Sequence, residues 1–286
     1  MQTQIVIPDC VMQTLAPNPE MKLCWDQTIG VEDLKHRLLT HMKVCFDPTS
    51  LFSWHRRHYK KEFIEPRYRR RVLLIGPPGT GKTTVAIGCI DRYARLTKSE
   101  IYLIELGLVR SKFEGEPSRN IQRVFRYITE LSQDRKVAFF ADEFDSKGPS
   151  RGVEQMHDSA RAMVNTLNSE MNKLNTPNVF TIAASNFEGY IDHAVKRRFD
   201  FILYFRRPTF YQRVKLLRHL LRPYNFLSDG IREMAKKTKG YTQDDITRTV
   251  YAAVEEAFSR NKPLSFRHLV YGLSVVKPTG EYKDWR

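Results

Sequence analysis

Arg71-Val72-Leu73-Leu74-Ile75-Gly76-Pro77-Pro78-Gly79-Thr80-Gly81-Lys82-Thr83-Thr84 is the stretch from which the rest of the chain is read. Its first five residues form a short, largely aliphatic run bounded by a glycine-proline turn, which predicts a buried strand. A helical pattern opens at Lys82 and continues to Leu96. Between strand and helix, Gly76–Thr83 satisfies G-x-x-x-x-G-K-T in full, in the position that the motif's mechanics require. Glycines let backbone N–H groups turn inward around phosphate oxygens, and the N-terminus of the next helix adds partial positive charge. Lys82 is expected to reach the β- and γ-phosphates of ATP, and Thr83 to hold Mg2+ by its hydroxyl. The expected nucleotide contacts are Gly76, Pro77, Pro78, Gly79, Thr80, Gly81, Lys82, Thr83 and Thr84.

Downstream, Lys136-Val137-Ala138-Phe139-Phe140-Ala141-Asp142-Glu143 is an apolar strand that ends in two acids. Beside a phosphate loop, the first acid assists Mg2+ and the second positions and activates the attacking water. Asp142 is therefore the expected metal and nucleotide partner, and Glu143 the expected base. Asn186 closes another apolar run, Thr181-Ile182-Ala183-Ala184-Ser185-Asn186, where a neutral amide can orient that water against the γ-phosphate.

Working outward, short apolar runs alternate with helical patterns. Strands are predicted over 71–75, 101–106, 137–141, 179–184 and 201–205, and helices over 31–44, 82–96, 117–131 and 157–174. Such alternation predicts an α/β core, a five-stranded parallel sheet covered on both faces. After Pro208 only helices follow. Thr209 and Gln212 form a capping box that opens a helix toward Leu221, Gly240 is a helix stop and Thr242 an N-cap. The expected organisation is an irregular N-terminal arm over 1–22, a nucleotide-binding core over 23–208 and a small helical lid over 209–286.

The chain has 286 residues, of which 41% are hydrophobic, enough for a substantial core and against disorder throughout. No apolar run approaches the roughly 18–20 residues of a membrane helix, and the N-terminus does not resemble a secretory signal. A cytoplasmic protein without a membrane partner is the expectation. Cys10, Cys24, Cys45 and Cys89 are scattered and read as reduced thiols. The net charge is +15, with dense clusters at His55–Lys61 and Arg67–Arg71. A surplus of this kind attracts phosphates, nucleic acid or acidic protein surfaces, or simply forms a solvated basic face.

Taken together, GPPGTGKT, FFADEFDS, TIAASN and IDHAVKRRFD stand in the order found in the AAA+ ATPases, which the chain resembles from Trp25 to Leu273. The resemblance implies an AAA+ core with a C-terminal lid, ATP and Mg2+ as cofactors, and a homo-oligomeric ring, in this family a hexamer. It places an arginine finger in Lys196-Arg197-Arg198-Phe199-Asp200, either Arg197 or Arg198, reaching into a neighbour's site. It also places a substrate-gripping pore loop at Ser111–Glu116, with Lys112, Phe113 and Glu114 in contact with a threaded polypeptide, and a second at Gly148–Asp158. The opening Trp25-Asp26 and the run to the lid are similar to the HORMA-remodelling, pachytene-checkpoint branch. Bacterial relatives of that branch dismantle an activated HORMA–nucleotidyltransferase complex in antiphage signalling, so a HORMA-domain protein substrate is implied. One segment departs from that branch. Gly240-Tyr241-Thr242-Gln243-Asp244-Asp245-Ile246 lacks the arginine of a G-S-G-R-like motif; it is closer to the G-Y-S-G-A-D pattern of the protein-remodelling branch, where Gln243 replaces a small residue.

Two other readings use the same residues. The basic clusters suit a nucleic-acid-binding or loader ATPase, although no zinc site, helix-turn-helix or RNA-binding signature accompanies them. A slow, nucleotide-gated scaffold would keep the phosphate loop but has no use for Glu143 and paired arginines.

Overall fold

The computed structural model describes residues 11–59, 70–106, 117–142, 166, 167, 169–171, 173, 174, 176–186 and 196–280. Among these residues, six strands form one sheet: β1 (Val11–Ala16), β2 (Arg71–Ile75), β3 (Ile101–Leu106), β4 (Lys136–Ala141), β5 (Val179–Ser185) and β6 (Phe201–Tyr204), in the order β1-β3-β4-β5-β2-β6. The pairs β3/β4, β4/β5 and β5/β2 are parallel. Every residue of β5, and all but the first of β2 and β4, is buried, as expected of strands with both faces covered. The parallel α/β core read from the alternation is therefore present, with one strand more.

That extra strand corrects the reading of 1–22 as irregular. β1 runs antiparallel to β3, from Val11 opposite Leu106 to Ala16 opposite Ile101. Met12 and Leu15 are largely exposed, so the run carries little apolar alternation of its own. Its backbone partners come from the open edge of β3, a tertiary feature with no local signal. The Tyr127 hydroxyl donates to the Gln13 side-chain carbonyl and helps hold the strand in place.

Among the described residues, helices α1 (Pro19–Gln27), α2 (Glu32–Phe46), α3 (Pro48–His58), α4 (Lys82–Thr97) and α5 (Pro117–Leu131) accompany the sheet. Aromatic contacts join them to the sheet. Phe125 of α5 meets Phe139 of β4 edge-on at 5.2 Å, and Phe46 of α2 meets Phe180 of β5 at 6.1 Å. Asp91 of α4 is buried and accepts from the Asn18 backbone N–H at 2.7 Å and from Arg95 Nε at 2.6 Å, which ties the start of α1 to α4. Lys35 donates to the Trp25 carbonyl at 2.8 Å while its ammonium lies over the Trp25 ring. Residues 166–174 are helical at most described positions, within the helix expected over 157–174; the rest of that stretch lies outside the described residues. Cys24, Cys45 and Cys89 are free thiols, and burial pushes Cys45 and Cys89 up to about 12.

The chain divides into two compact units. The first holds residues 1–25, 34–75 and 83–203, hence the sheet. The second holds Asp26–Asp33, Gly76–Lys82 and Tyr204–Arg286. Its helices are α6 (Phe210–Leu221), α7 (Ser228–Lys237), α8 (Gln243–Ser259) and α9 (Phe266–Val275). Leu217, Met234, Ala235, Ile246, Ala253 and Leu269 form its fully buried centre, and Ile29 from the N-terminal segment packs against it. The Thr209–Gln212 capping box opens α6 as predicted, and Thr242 caps α8. Among the described residues, no helix is long and apolar enough to cross a membrane.

Candidate nucleotide-binding site

The phosphate loop folds as its sequence requires. β2 delivers Gly76 at its C-terminal end, and α4 begins at Lys82. Lys82 is buried, and its ammonium donates to the Gly76 carbonyl at 2.7 Å and the Pro77 carbonyl at 3.0 Å. Thr80 is also buried and donates to the Pro77 carbonyl at 2.7 Å. The lysine is thus held inside the curve of its own loop, beside helix N–H groups that have no intrahelical acceptor. A fixed cation and the N–H groups of a helix N-terminus fit a polyphosphate.

Within the second unit, other segments pack around this loop. Gly79 has φ +75°, and a Cβ there would lie 2.8 Å from Thr242 Oγ1 and 3.0 Å from the Asp244 Cβ. The Asp244 backbone N–H donates to the Gly79 carbonyl at 3.1 Å. Gly76 is equally constrained, because a Cβ would fall 2.1 Å from the Phe205 carbonyl oxygen. Gly81 faces the Thr28 methyl, and Thr28 is buried. Gly30, two residues on, accepts from Gln212 Nε2 at 2.7 Å. Segment 26–33 and the start of α8 therefore flank the loop. Neither contact carries a motif, so sequence reading missed Thr28 and the docking of Thr242 and Asp244.

In the first unit, Thr83 Oγ1 donates to Asp142 Oδ2 at 2.6 Å. A hydroxyl and a carboxylate are hard oxygen donors, the set that Mg2+ takes when phosphates and waters supply its remaining ligands. The two residues therefore fit the ion. Thr84, next in α4, belongs to the same helical turn. Glu105, near the end of β3, is a further acid that sequence reading did not single out. Its carboxyl is pushed up, first by burial and then by the charge of Asp142. Only the strand pairing places Glu105 there, opposite Phe140 of β4.

Asn186 follows β5, which lies between β4 and β2 in the sheet. Arg197 and Arg198 lie elsewhere. Arg71, which begins β2, donates from its guanidinium to the Arg198 carbonyl at 3.4 Å, and Asp200 accepts from the backbone N–H groups of Arg70 and Arg71 at 2.9 and 3.0 Å. The arginines thus stand at the N-terminal end of β2, while Asp142 follows the C-terminal end of β4. Arg197 is exposed and Arg198 partly so. Glu143, Lys112, Phe113, Glu114 and the stretch Gly148–Asp158 lie outside the described residues.

Residues 72–207 match the family described as ATPase family associated with various cellular activities (AAA). The fold is shared with a chain of the E. coli MS115-1 HORMA:CdnC:Trip13 complex, with a TM-score of 0.84 and 25% identity over 96% of this chain and 98% of that one. It is also shared with Rhizobiales Trip13, with a TM-score of 0.74 and 21% identity over 94% and 99% of the two chains. Among curated relatives, Cell division protein C of Sulfolobus acidocaldarius is 29% identical over 269 residues, 90% of this chain but 66% of that protein's length. Residues 72–207 thus form an AAA domain, the domain of that ATPase family.

Proposed function

We propose that this chain is a ring-forming ATPase, a protein remodeller that dismantles a complex built around a HORMA-domain protein, and so restrains antiphage signalling in the cytoplasm. The observation that carries the proposal is the likeness over nearly the whole chain to a chain of a HORMA:CdnC:Trip13 complex. The position of the arginines supports the ring. β2 is five residues long and so spans about 16 Å, which sets Arg197 and Arg198, at its start, a strand's length from the end of the sheet that carries Asp142. A neighbour in a closed ring, a hexamer in this reading, would place them at its Thr83 and Asp142.

In this mechanism Lys82 and the loop amides hold the β- and γ-phosphates, and Thr83 and Asp142 hold Mg2+. The ion supplies charge neutralisation on the phosphate oxygens. Glu143 takes the proton of the attacking water, Asn186 orients that water, and Arg197 or Arg198 of the adjoining copy meets the charge that develops on the transferred group. Lys112, Phe113 and Glu114 grip the partner's extended segment, and hydrolysis moves it by releasing the subunit interfaces in turn.

The Phe113→Ala variant tests this reading. It should hydrolyse ATP near the wild-type rate yet leave a HORMA–nucleotidyltransferase complex intact. Dissociation of that complex by Phe113→Ala at the wild-type rate rules threading out. The exposed end of α3 favours a second reading, nucleic-acid binding: Trp54, His55, His58 and Tyr59 form an aromatic cluster with ring centroids 5.1–5.6 Å apart, His55 stacked on Tyr59, beside exposed Arg56 and Arg57. Tight nucleic-acid binding that falls steeply with salt and stimulates ATP turnover would favour it over remodelling.

A further inference from the structure

Gln243 is the first residue of α8 and stands between Thr242 and Asp244, the two residues that meet Gly79 of the phosphate loop. Its side-chain carbonyl oxygen, Oε1, is buried and has no hydrogen-bond partner among the described residues. The backbone donors of the residues around it in sequence are already engaged. The Thr242 N–H donates to Asp245 Oδ2 at 2.9 Å, the Asp245 N–H to Thr242 Oγ1 at 3.2 Å, and the Asp244 N–H to the Gly79 carbonyl at 3.1 Å. Buried polar atoms are almost always paired, and an exception beside a ligand site points to a donor that the ligand brings.

ATP offers two chemically distinct ends. Its phosphate oxygens only accept hydrogen bonds, so they cannot pair with Oε1 and would repel it. Its donors are the exocyclic amino group of adenine and the ribose hydroxyls. A carboxamide matches the adenine edge on both sides, accepting from the amino group while its own NH2 donates to the adjacent ring nitrogen. A ribose hydroxyl uses only half of that capacity. Guanine carries a carbonyl oxygen where adenine carries the amino group, and would set lone pair against lone pair.

We propose that Gln243 reads the base of the bound nucleotide, with Oε1 accepting from the adenine amino group, and thereby sets a preference for adenine over guanine nucleotides. The inference rests on Gly76–Thr83 being the nucleotide site and is independent of what the enzyme acts on.

Calorimetric titration of the full chain with ADP, GDP and 2′-deoxy-ADP tests it without turnover. Wild type should bind ADP about tenfold or more tighter than GDP, the discrimination that one good base pairing supplies. Gln243→Ala should weaken ADP by about that factor and leave GDP unchanged, so that the preference disappears. Gln243→Glu loses the donating NH2, and its carboxylate accepts from the N1–H and amino group of guanine, so it should shift the preference toward GDP. An unchanged ADP-to-GDP ratio in Gln243→Ala, or equal losses for both, overturns the proposal. A variant that instead loses discrimination against 2′-deoxy-ADP also overturns it, because the oxygen then serves the ribose. Lys82→Ala is the separate control: wild-type ADP binding there would overturn the reading of the loop itself, whatever Gln243 does.

Discussion

At Gly79 the backbone turns with φ +75°, and the space for a Cβ is taken by Thr242 and Asp244. At Gly230, inside α7, a Cβ would meet only Phe226 and Phe266 carbons at 3.7 and 3.8 Å, ordinary contact distances. Alanine should therefore have opposite effects at the two positions. Gly79→Ala should destabilise the protein by about 1–2 kcal/mol, the cost of a side chain in the left-handed region. Gly230→Ala should stabilise it by about 0.5–1 kcal/mol, because the unfolded chain loses freedom and the helix gains a better former. Denaturant unfolding measures both, and changes of the same sign would contradict this reading of the loop. The course of the loop was legible in the sequence, because Gly76–Thr83 form a contiguous motif between β2 and α4. Thr28 and Glu105 were not, because each reaches the site through a fold contact distant in sequence.

Helix caps and strands behaved differently at the scale of the element. Thr209, Gly240 and Thr242 announced their roles locally, since a cap is made by residues within one turn. β1 did not, because its partners lie on β3. The cap of α8 does more than its sequence shows. Asp245 Oδ2 also accepts from the Thr279 N–H at 2.9 Å, Oδ1 accepts from the Thr279 hydroxyl at 2.5 Å, and the Tyr241 hydroxyl donates to the Val276 carbonyl at 2.8 Å. Arg207 donates to the Gly240 and Thr279 carbonyls. Asp245 thus joins the start of α8 to the segment after α9.

Burial alone would raise the Asp245 carboxyl, but the hydrogen bonds from Thr279 and Thr242 outweigh it and hold the group below its ordinary value. A depressed folded pKa means that this stabilisation is present above the unfolded value, about 3.9, and is lost as pH falls through the folded one. Asp245→Asn should lose about 1–3 kcal/mol at neutral pH, the cost of charge-assisted bonds in a buried site. It should also lack that part of the stability decline on acidification. Parallel pH-dependent unfolding curves for wild type and variant would contradict this account.

For the whole molecule, the strand alternation foretold the parallel sheet, and the motif order foretold the AAA domain. The alternation could not foretell which end of the sheet each arginine occupies. That followed from β6 lying beside β2 and Asp200 binding the N–H groups of Arg70 and Arg71, which fixes Arg197 and Arg198 away from Asp142. A separation of this kind suits a site completed by a second copy, and a ring that moves a gripped partner is the proposal built on it. The most direct measurement mixes the purified chain with a HORMA–nucleotidyltransferase complex and ATP, and follows the complex by size-exclusion chromatography. The complex should fall apart with the wild-type chain, and persist with Glu143→Gln or with a non-hydrolysable ATP analogue. A complex that stays whole while the wild-type chain hydrolyses ATP would contradict the remodelling account.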